Sequence, residues 1–280
     1  MRGVLRTTLC GTYKYTGAMA VHERLAYLAG RRSATVLLFH RVTDEIPPDG
    51  LTVDPAWFRR LCGLLRDRFH VVPLGEVVRL LGCDERLPRR TVAITFDDCY
   101  RDNLQAARVL AEHGLPACFF VPTQFVGTDH LFEWDRGLKR MANLDWDDLH
   151  EMIRLGHEVG SHSLSHADLG LVDADEARQE LEESKKTLEA RLGRRTRWFA
   201  YPFGGRGNFR TEYLPLVQAA GYEACFSGHG GTLRPGMVGQ VLPREPVPYF
   251  RSLLHLELHL AGCLDWLHAL KRRLGLLPPR

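Results

Sequence analysis

The chain has no run of about 18 uncharged apolar residues, the least that a membrane-spanning helix needs, so the sequence argues against a transmembrane span. It has no excess of either charge. Lys and Arg number 37 against 34 Asp and Glu, a net charge of +3, too mild to argue for a nucleic-acid partner. Short basic clusters such as Arg194-Arg195 and Lys271-Arg272-Arg273 read as solvated surface. Paired cysteines are missing too. The seven (Cys10, Cys62, Cys83, Cys99, Cys118, Cys225 and Cys263) are odd in number, scattered, and form no C-x-x-C. Small buried hydrophobes in a reduced compartment account for them better than disulfides. The N-terminal segment starts with a basic residue but has no continuous apolar core, because Arg6, Lys14, His22, Glu23 and Arg24 interrupt it. No signal peptide is therefore expected, and the expected location is cytoplasmic or peripheral to the inner membrane face. Residues 1–33 are expected to form a helical extension, amphipathic enough to lie on a membrane surface, with packing on the domain favoured.

What is present is ordinary globular composition, 45% hydrophobic and 25% charged over 280 residues, enough for a sizeable core. Apolar, β-rich runs occur at ATVLLFH (34–40), TVAITFD (91–97), ACFFVP (117–122), HEVGSH (157–162), WFAYPF (198–203), YEACFS (222–227) and GQVLPRE (239–245). Between them lie segments with apolar residues at i, i+3, i+4 and i+7, the helical period: DPAWFRRLCGLLRDRF, NLQAARVLAEHG, DWDDLHEMIRLG, DADEARQELEESKKTLEARLG and EYLPLVQAAG. Asp173 or Asp175 can cap the fourth of these and Gly193 can end it. Strand and helix alternating this often predict parallel strands with helical crossovers, and about seven strands predict an irregular α/β barrel. The aromatic segment 125–147 is long for a connection between two strands and reads as an insertion or lid beside a site.

In such a fold, polar residues at the C-terminal ends of parallel strands face one opening. His40, Asp97 with Asp98, His162, and Tyr201-Pro202-Phe203-Gly204 all end predicted strands, and His166 follows closely in SHSLSH. The i, i+4 spacing of His162 and His166 predicts both imidazoles on one side of a helical turn. With one carboxylate they make a His₂Asp set that leaves coordination positions open, as a catalytic zinc or similar divalent ion requires. Such an ion would also offset the cost of burying adjacent carboxylates. The spacing is not specific by itself. HLELH at 255–259 repeats it, and reads as the face of an amphipathic helix with no strand end or partner carboxylate.

TFDD (95–98), H-S-x-x-H (162–166) and YPFG (201–204), in this order, resemble the polysaccharide deacetylases of the NodB-homology type, carbohydrate esterase family 4. LLFHRV resembles the first strand of the poly-N-acetylglucosamine deacetylase branch. The resemblance spans about 34–247, leaving 248–280 as an expected C-terminal helical extension packing on the barrel. It implies a distorted (β/α)7-type barrel and metal-dependent removal of N-acetyl groups from an amino-sugar glycan, the expected partner. Carried over by position, Asp98, His162 and His166 would hold the metal, Zn2+ first, with Co2+, Ni2+ or Mn2+ also used in the family. Asp97 would be the general base. Tyr201, Pro202, Phe203 and Gly204 would line the acetyl pocket, with the Phe203 N–H donating to the oxyanion.

Three departures stand out. Many members place an arginine just before the third motif to orient the base; here that position is Ala200, and Arg244 in LPRE is the candidate to reach Asp97 from another strand. The general acid is expected to be His40, in preference to His255 in SLLH, with His229 a third candidate. The residue after the Asp pair is usually glycine; here it is Cys99, expected to pack inward. Two rival functions remain: a deformylase or deacetylase of lipid-linked sugars at the membrane inner face, and a glycan-binding module without catalysis.

Overall fold

Residues 33–83, 87–250 and 252–262, with 17, 21 and 24, are described by the structure, a computed structural model. Ser33–Pro248 form one compact unit. Its first strand, β1 (Ala34–Phe39), is six buried residues in a row, the pattern of a strand covered on both faces. Next come β2 (Arg41–Val42), paired in parallel with β3 (Thr52–Val53), and helix α1 (Pro55–Arg68), started by the Asp54 carboxylate accepting from the Trp57 N–H. Strand β4 (His70–Val71) and helix α2 (Leu74–Gly82) follow. These two elements, like β2 and β3, have no counterpart in the sequence reading; the strands are too short to show a period, whereas α2 buries Leu74, Val77, Leu80 and Leu81 at helical spacing, a signal the sequence reading did not single out.

The remaining alternation follows the expected order: β5 (Thr91–Phe96), α3 (Asp102–Glu112), β6 (Cys118–Val121), α4 (Trp146–Arg154), β7 (Glu158–Ser161), α5 (Ala174–Leu192), β8 (Trp198–Ala200), α6 (Leu214–Ala219) and β9 (Ala224–Ser227). Helix α5 is capped by Asp173 and ended by Gly193 at φ 63°, a left-handed position that suits glycine. The final strand is broken in two. β10 (Val241–Pro243) lies parallel to β9, and β11 (Glu245–Pro246) lies parallel to β1. The sheet order β10-β9-β8-β7-β6-β5-β1-β11 thus returns to its start through one residue, Arg244. Among the described residues this makes a seven-stave parallel barrel, nearly closed, with helices around it.

The two faces of the staves are filled differently. Val36, Ala93, Cys118, Phe120, Trp198, Ala200, Phe226 and Leu242 belong to one buried cluster, with residues two apart pointing the same way. Phe39, Phe96 and Phe119, in register across β1, β5 and β6, stack at 5.0 and 4.8 Å, and Phe58 of α1 packs edge-on against the first two. Cys62, Cys99, Cys118 and Cys225 are buried free thiols; Cys10 and Cys263 lie outside the described residues. So do most of the expected extensions over 1–33 and 248–280 and the Lys271-Arg272-Arg273 cluster. The described part of the second unit includes α7 (Leu253–Leu260), the helix expected around HLELH, with Ser252 as its cap. Among the described residues no helix is long and apolar enough to cross a membrane.

Gly160 marks the tightest fit between staves. It pairs directly with Phe120, and a Cβ there would stand 2.5 and 2.6 Å from that ring. Gly160→Ala is expected to cost about 1–3 kcal/mol through overpacking, read as a lower midpoint in urea unfolding; an unchanged midpoint would mean the ring moves freely.

Candidate metal centre and active site

Because the strands are parallel, the residue that follows each one sits on the same rim, and the sheet ladder continues one bond further to hold it. The Asp97 N–H donates to Phe39 O at 3.0 Å, the His162 N–H to Val121 O at 3.0 Å, and the Tyr201 N–H to Phe226 O at 2.9 Å. The chain then turns sharply. Asp98, Cys99, Ser163, His166 and Phe203 all adopt positive φ, between 62° and 77°, at a cost on the order of 1 kcal/mol each for residues with a Cβ. The expected helical turn between His162 and His166 is therefore corrected. The two imidazoles converge through a loop with left-handed residues, not through a helix.

The loop brings three donors together. Asp98 Oδ1 lies 3.4 Å from His162 Nε2 and 3.2 Å from His166 Nε2. The ligand atoms of this buried trio all fall within 4.8 Å of one another. His162 Nδ1 is 2.8 Å from Ala200 O, a bond that requires the proton on Nδ1 and fixes the ring so that Nε2 faces the Asp98 carboxylate. Burial opposes charge on Asp98, but hydrogen bonds from His162 and His166 outweigh it and hold the carboxyl well below its ordinary range. Ionised oxygen and aimed imidazole nitrogens are what a divalent ion requires, and three protein donors leave it open positions. The residues fit the ion that the motif implies.

Asp97 is compensated differently. Arg244, fully buried, donates from Nη1 to Oδ1 and from Nη2 to Oδ2, both at 2.7 Å. The guanidinium is fixed in turn: Nη1 reaches Thr95 Oγ1 at 3.2 Å, Nε reaches Ser227 O at 3.2 Å, and the Phe120 ring lies 5.1 Å away. Burial alone would raise the Asp97 pKa; the charge of Arg244, aided by His162, overrides it and leaves it below the ordinary value. Asp97 Oδ2 is 3.7 Å from His162 Nε2, next to the trio without belonging to it.

Helix α5 grips the loop that carries both histidines. Glu180 Oε2 accepts from the Leu164 and Ser165 N–H groups, each at 2.9 Å, and its Oε1 accepts from Ser165 Oγ at 2.6 Å. Ser184 bonds Ser161 Oγ at 2.6 Å, which also accepts from the Ser163 N–H. The sequence reading did not single out either residue. The signal was there: Glu180 and Ser184 sit among Ala177, Leu181 and Leu188, in the buried stripe of an otherwise polar helix.

The other sequence candidates fall as follows. His40 ends β1 in the same charge cluster; burial lowers its pKa, only partly offset by Asp98 and Asp97, and its Nδ1 has no hydrogen-bond partner. His229 is half-buried, tied to Ser227 Oγ at 2.7 Å. His255 belongs to α7 in the other unit, with its ring 5.2 Å from that of Phe250. Tyr201, Pro202, Phe203 and Gly204 form the turn after β8; Tyr201 is buried, and Phe203 is 55% exposed with its ring 4.9 Å from His166. Cys99 occupies a left-handed position, φ 66°, which explains a preference for glycine there. Its thiol points inward to Leu144 O at 3.9 Å, and burial raises its pKa. The segment 125–147 contributes a short 3₁₀ turn, Glu133–Asp135, beside His166.

Comparison with known proteins agrees with this geometry. Residues 84–225 match the family model described as polysaccharide deacetylase. The Bacillus subtilis protein YxkH is 26% identical over 203 residues, 72% of this chain and 64% of that one. The peptidoglycan-N-acetylmuramic acid deacetylase PdaA of Bacillus subtilis is 27% identical over 139 residues, 49% of this chain and 46% of that one. This chain thus spans between about half and two thirds of those relatives. The structure of the Streptococcus pyogenes deacetylase PplD in complex with acetate superposes with a TM-score of 0.67 at 23% identity, covering 80% of this chain and 97% of that one, a likeness of fold.

Two expectations follow from the supports around the trio. Glu180→Leu should weaken Zn2+ binding about 10–100-fold, the usual cost of losing an outer support, in calorimetric titration of metal-free protein; unchanged affinity would make the grip irrelevant to the ligands. Arg244→Met should cost about 3–5 kcal/mol of stability by leaving a buried carboxylate unpaired. It should also raise the Asp97 pKa, moving the acid limb of kcat/KM to higher pH. An acid limb that stays in place would dissociate Arg244 from the ionisation of Asp97.

Proposed function

The chain belongs to the polysaccharide deacetylase family, and from that premise we propose that it is a metal-dependent hydrolase removing N-acetyl groups from an amino-sugar-containing glycan. The observation that carries this reading is Asp97. A buried carboxylate, clamped at both oxygens by Arg244 and standing beside a three-donor cluster it does not join, has little purpose in a module that only binds glycans. Asp98, His162 and His166 are the residues that would hold the ion, for which we infer Zn2+, with Co2+, Ni2+ or Mn2+ suited to the same donors. When bound, the ion supplies Lewis-acid polarisation of the acyl oxygen and of the attacking water.

The chain's own groups do the rest. Asp97 Oδ2, kept ionised and oriented by Arg244, takes the proton of the attacking water. The turn Tyr201–Gly204 walls the acetyl group, and the Phe203 N–H donates to the oxygen on which negative charge develops. His40, half-buried at the end of β1, gives a proton to the leaving amine. The substrate of PdaA, as its name states, is an N-acetylmuramic acid of peptidoglycan, and PplD was captured with acetate; an N-acetylated sugar with acetate as product is the class we assign to this chain.

The pH dependence has a definite sign. Asp97 acts ionised, and its lowered pKa keeps it so to below the ordinary carboxylate value. His40 acts protonated, and its lowered pKa means that form is lost as pH rises through a value below 6.5. The kcat/KM profile should therefore be a bell on the acid side of neutrality, and His40→Ala should abolish its alkaline limb. Acetate release from a panel of acylated glycans should stop with chelator, return with Zn2+, and fall about 10²–10⁴-fold in Asp97→Asn. Chelator-resistant turnover, or full activity in Asp97→Asn, would refute the mechanism. Formate release from lipid-linked sugars alone would transfer the assignment to that substrate.

A further inference from the structure

The segment 125–147 brings one large side chain to the mouth of the site. Trp134 is 36% exposed, with its ring 5.5 Å from the metal-ligand candidate His166 and 5.9 Å from exposed Phe203. Beneath it Phe132 is buried and stacked at 4.6 Å with an interplanar angle of 15°, and Phe132 in turn meets His166 edge-on at 5.1 Å. The indole has therefore one face covered by a ring, while part of its surface remains open beside the trio.

Its orientation is fixed from below. The indole Nε1–H donates to Tyr100 OH at 3.0 Å, and that hydroxyl donates to Asp135 Oδ2 at 2.6 Å. Asp135 pairs with Arg41, which also holds Asp49 at 2.6 Å and Thr52 Oγ1 at 3.1 Å and lies 5.3 Å over the Tyr100 ring. Arg41, Tyr100 and Asp135 are each at most 2% exposed. A buried ion pair of this kind is weak evidence for stability, since an apolar replacement often does as well. What it does provide is direction: the hydrogen-bond chain runs from the β2–β3 pair, through Tyr100 beside the Asp97-Asp98 turn, and ends at the indole.

We propose that Trp134, with Phe203, is the stacking wall for the pyranose ring whose acyl group is removed, and that Arg41, Asp135 and Tyr100 are positioning residues for it. The inference rests on the glycan reading above and deepens it. The chemistry recognised is the apolar C–H face of an uncharged sugar ring, which an aromatic face covers at low entropic cost because it has few rotatable bonds. Trp134 makes no contribution to the donor trio, so its loss should be felt in substrate binding and not in metal binding.

The experiment takes the acylated glycan that the wild type turns over best, with Zn2+ present, and compares Trp134→Ala, Trp134→Phe and Tyr100→Phe. Trp134→Ala should raise KM about tenfold or more, the scale of losing an aromatic anchor, with kcat within about threefold and Zn2+ affinity of the metal-free protein unchanged. Trp134→Phe should restore most of the KM, and Tyr100→Phe should give an intermediate KM. An unaltered KM in a folded Trp134→Ala variant, or a fall in Zn2+ affinity parallel to the loss of turnover, would overturn the inference and leave the deacetylase reading standing. No acylated glycan turned over by the wild type would remove both.

Discussion

Two adjacent carboxylates at the end of a buried strand would each cost several kcal/mol if left without partners. The barrel answers them separately, and its arrangement follows from doing so. Asp98 is met by two imidazoles from the loop after β7. Asp97 is met by a guanidinium rooted between β10 and β11. The split gives neighbouring, chemically identical side chains different tasks. One faces two imidazole nitrogens; the other is aligned at both oxygens by a rigid fork.

Local strain is concentrated where this division is made. Five residues bearing a Cβ hold positive φ at the Asp98-Cys99 turn, in the histidine loop and at Phe203. None of these conformations is favoured locally, so neighbours must impose them. The Glu180 carboxylate does so for the histidine loop, and a backbone bond from Leu144 N–H to Cys99 O does so for the aspartate turn. Rigidity at the rim is thus supplied by an outer helix and by the end of the segment leading to α4.

Much of this was legible in the sequence, and what was not has physical reasons. The alternation of β-rich runs and 3.6-period segments carried the barrel, and TFDD, HSLSH and YPFG marked three of its strand ends. Arg244 could be suspected because Ala200 stands where a base-orienting arginine is common, yet only the return of the last strand to β1 shows that it reaches Asp97. The expected helical turn through His166 failed because a four-residue spacing is also produced by a loop containing left-handed residues. Glu180 was hidden by its surroundings, since a glutamate in QELEESKK looks solvated until its position in the buried stripe is counted. Arg41, Asp135 and Trp134 were invisible as a set, being joined across 94 residues of sequence.

The broken last strand also bears on how the chain becomes competent. Arg244 and Asp97 are 147 residues apart, and the stave that carries the guanidinium is the one that completes the ring. During synthesis the Asp pair leaves the ribosome long before its cationic counterpart exists. Until then Asp97 lacks the fork that offsets its burial, and β1 and β9 lack β11 and β10 as neighbours. Closing the ring and pairing the buried carboxylate are thereby one and the same long-range contact.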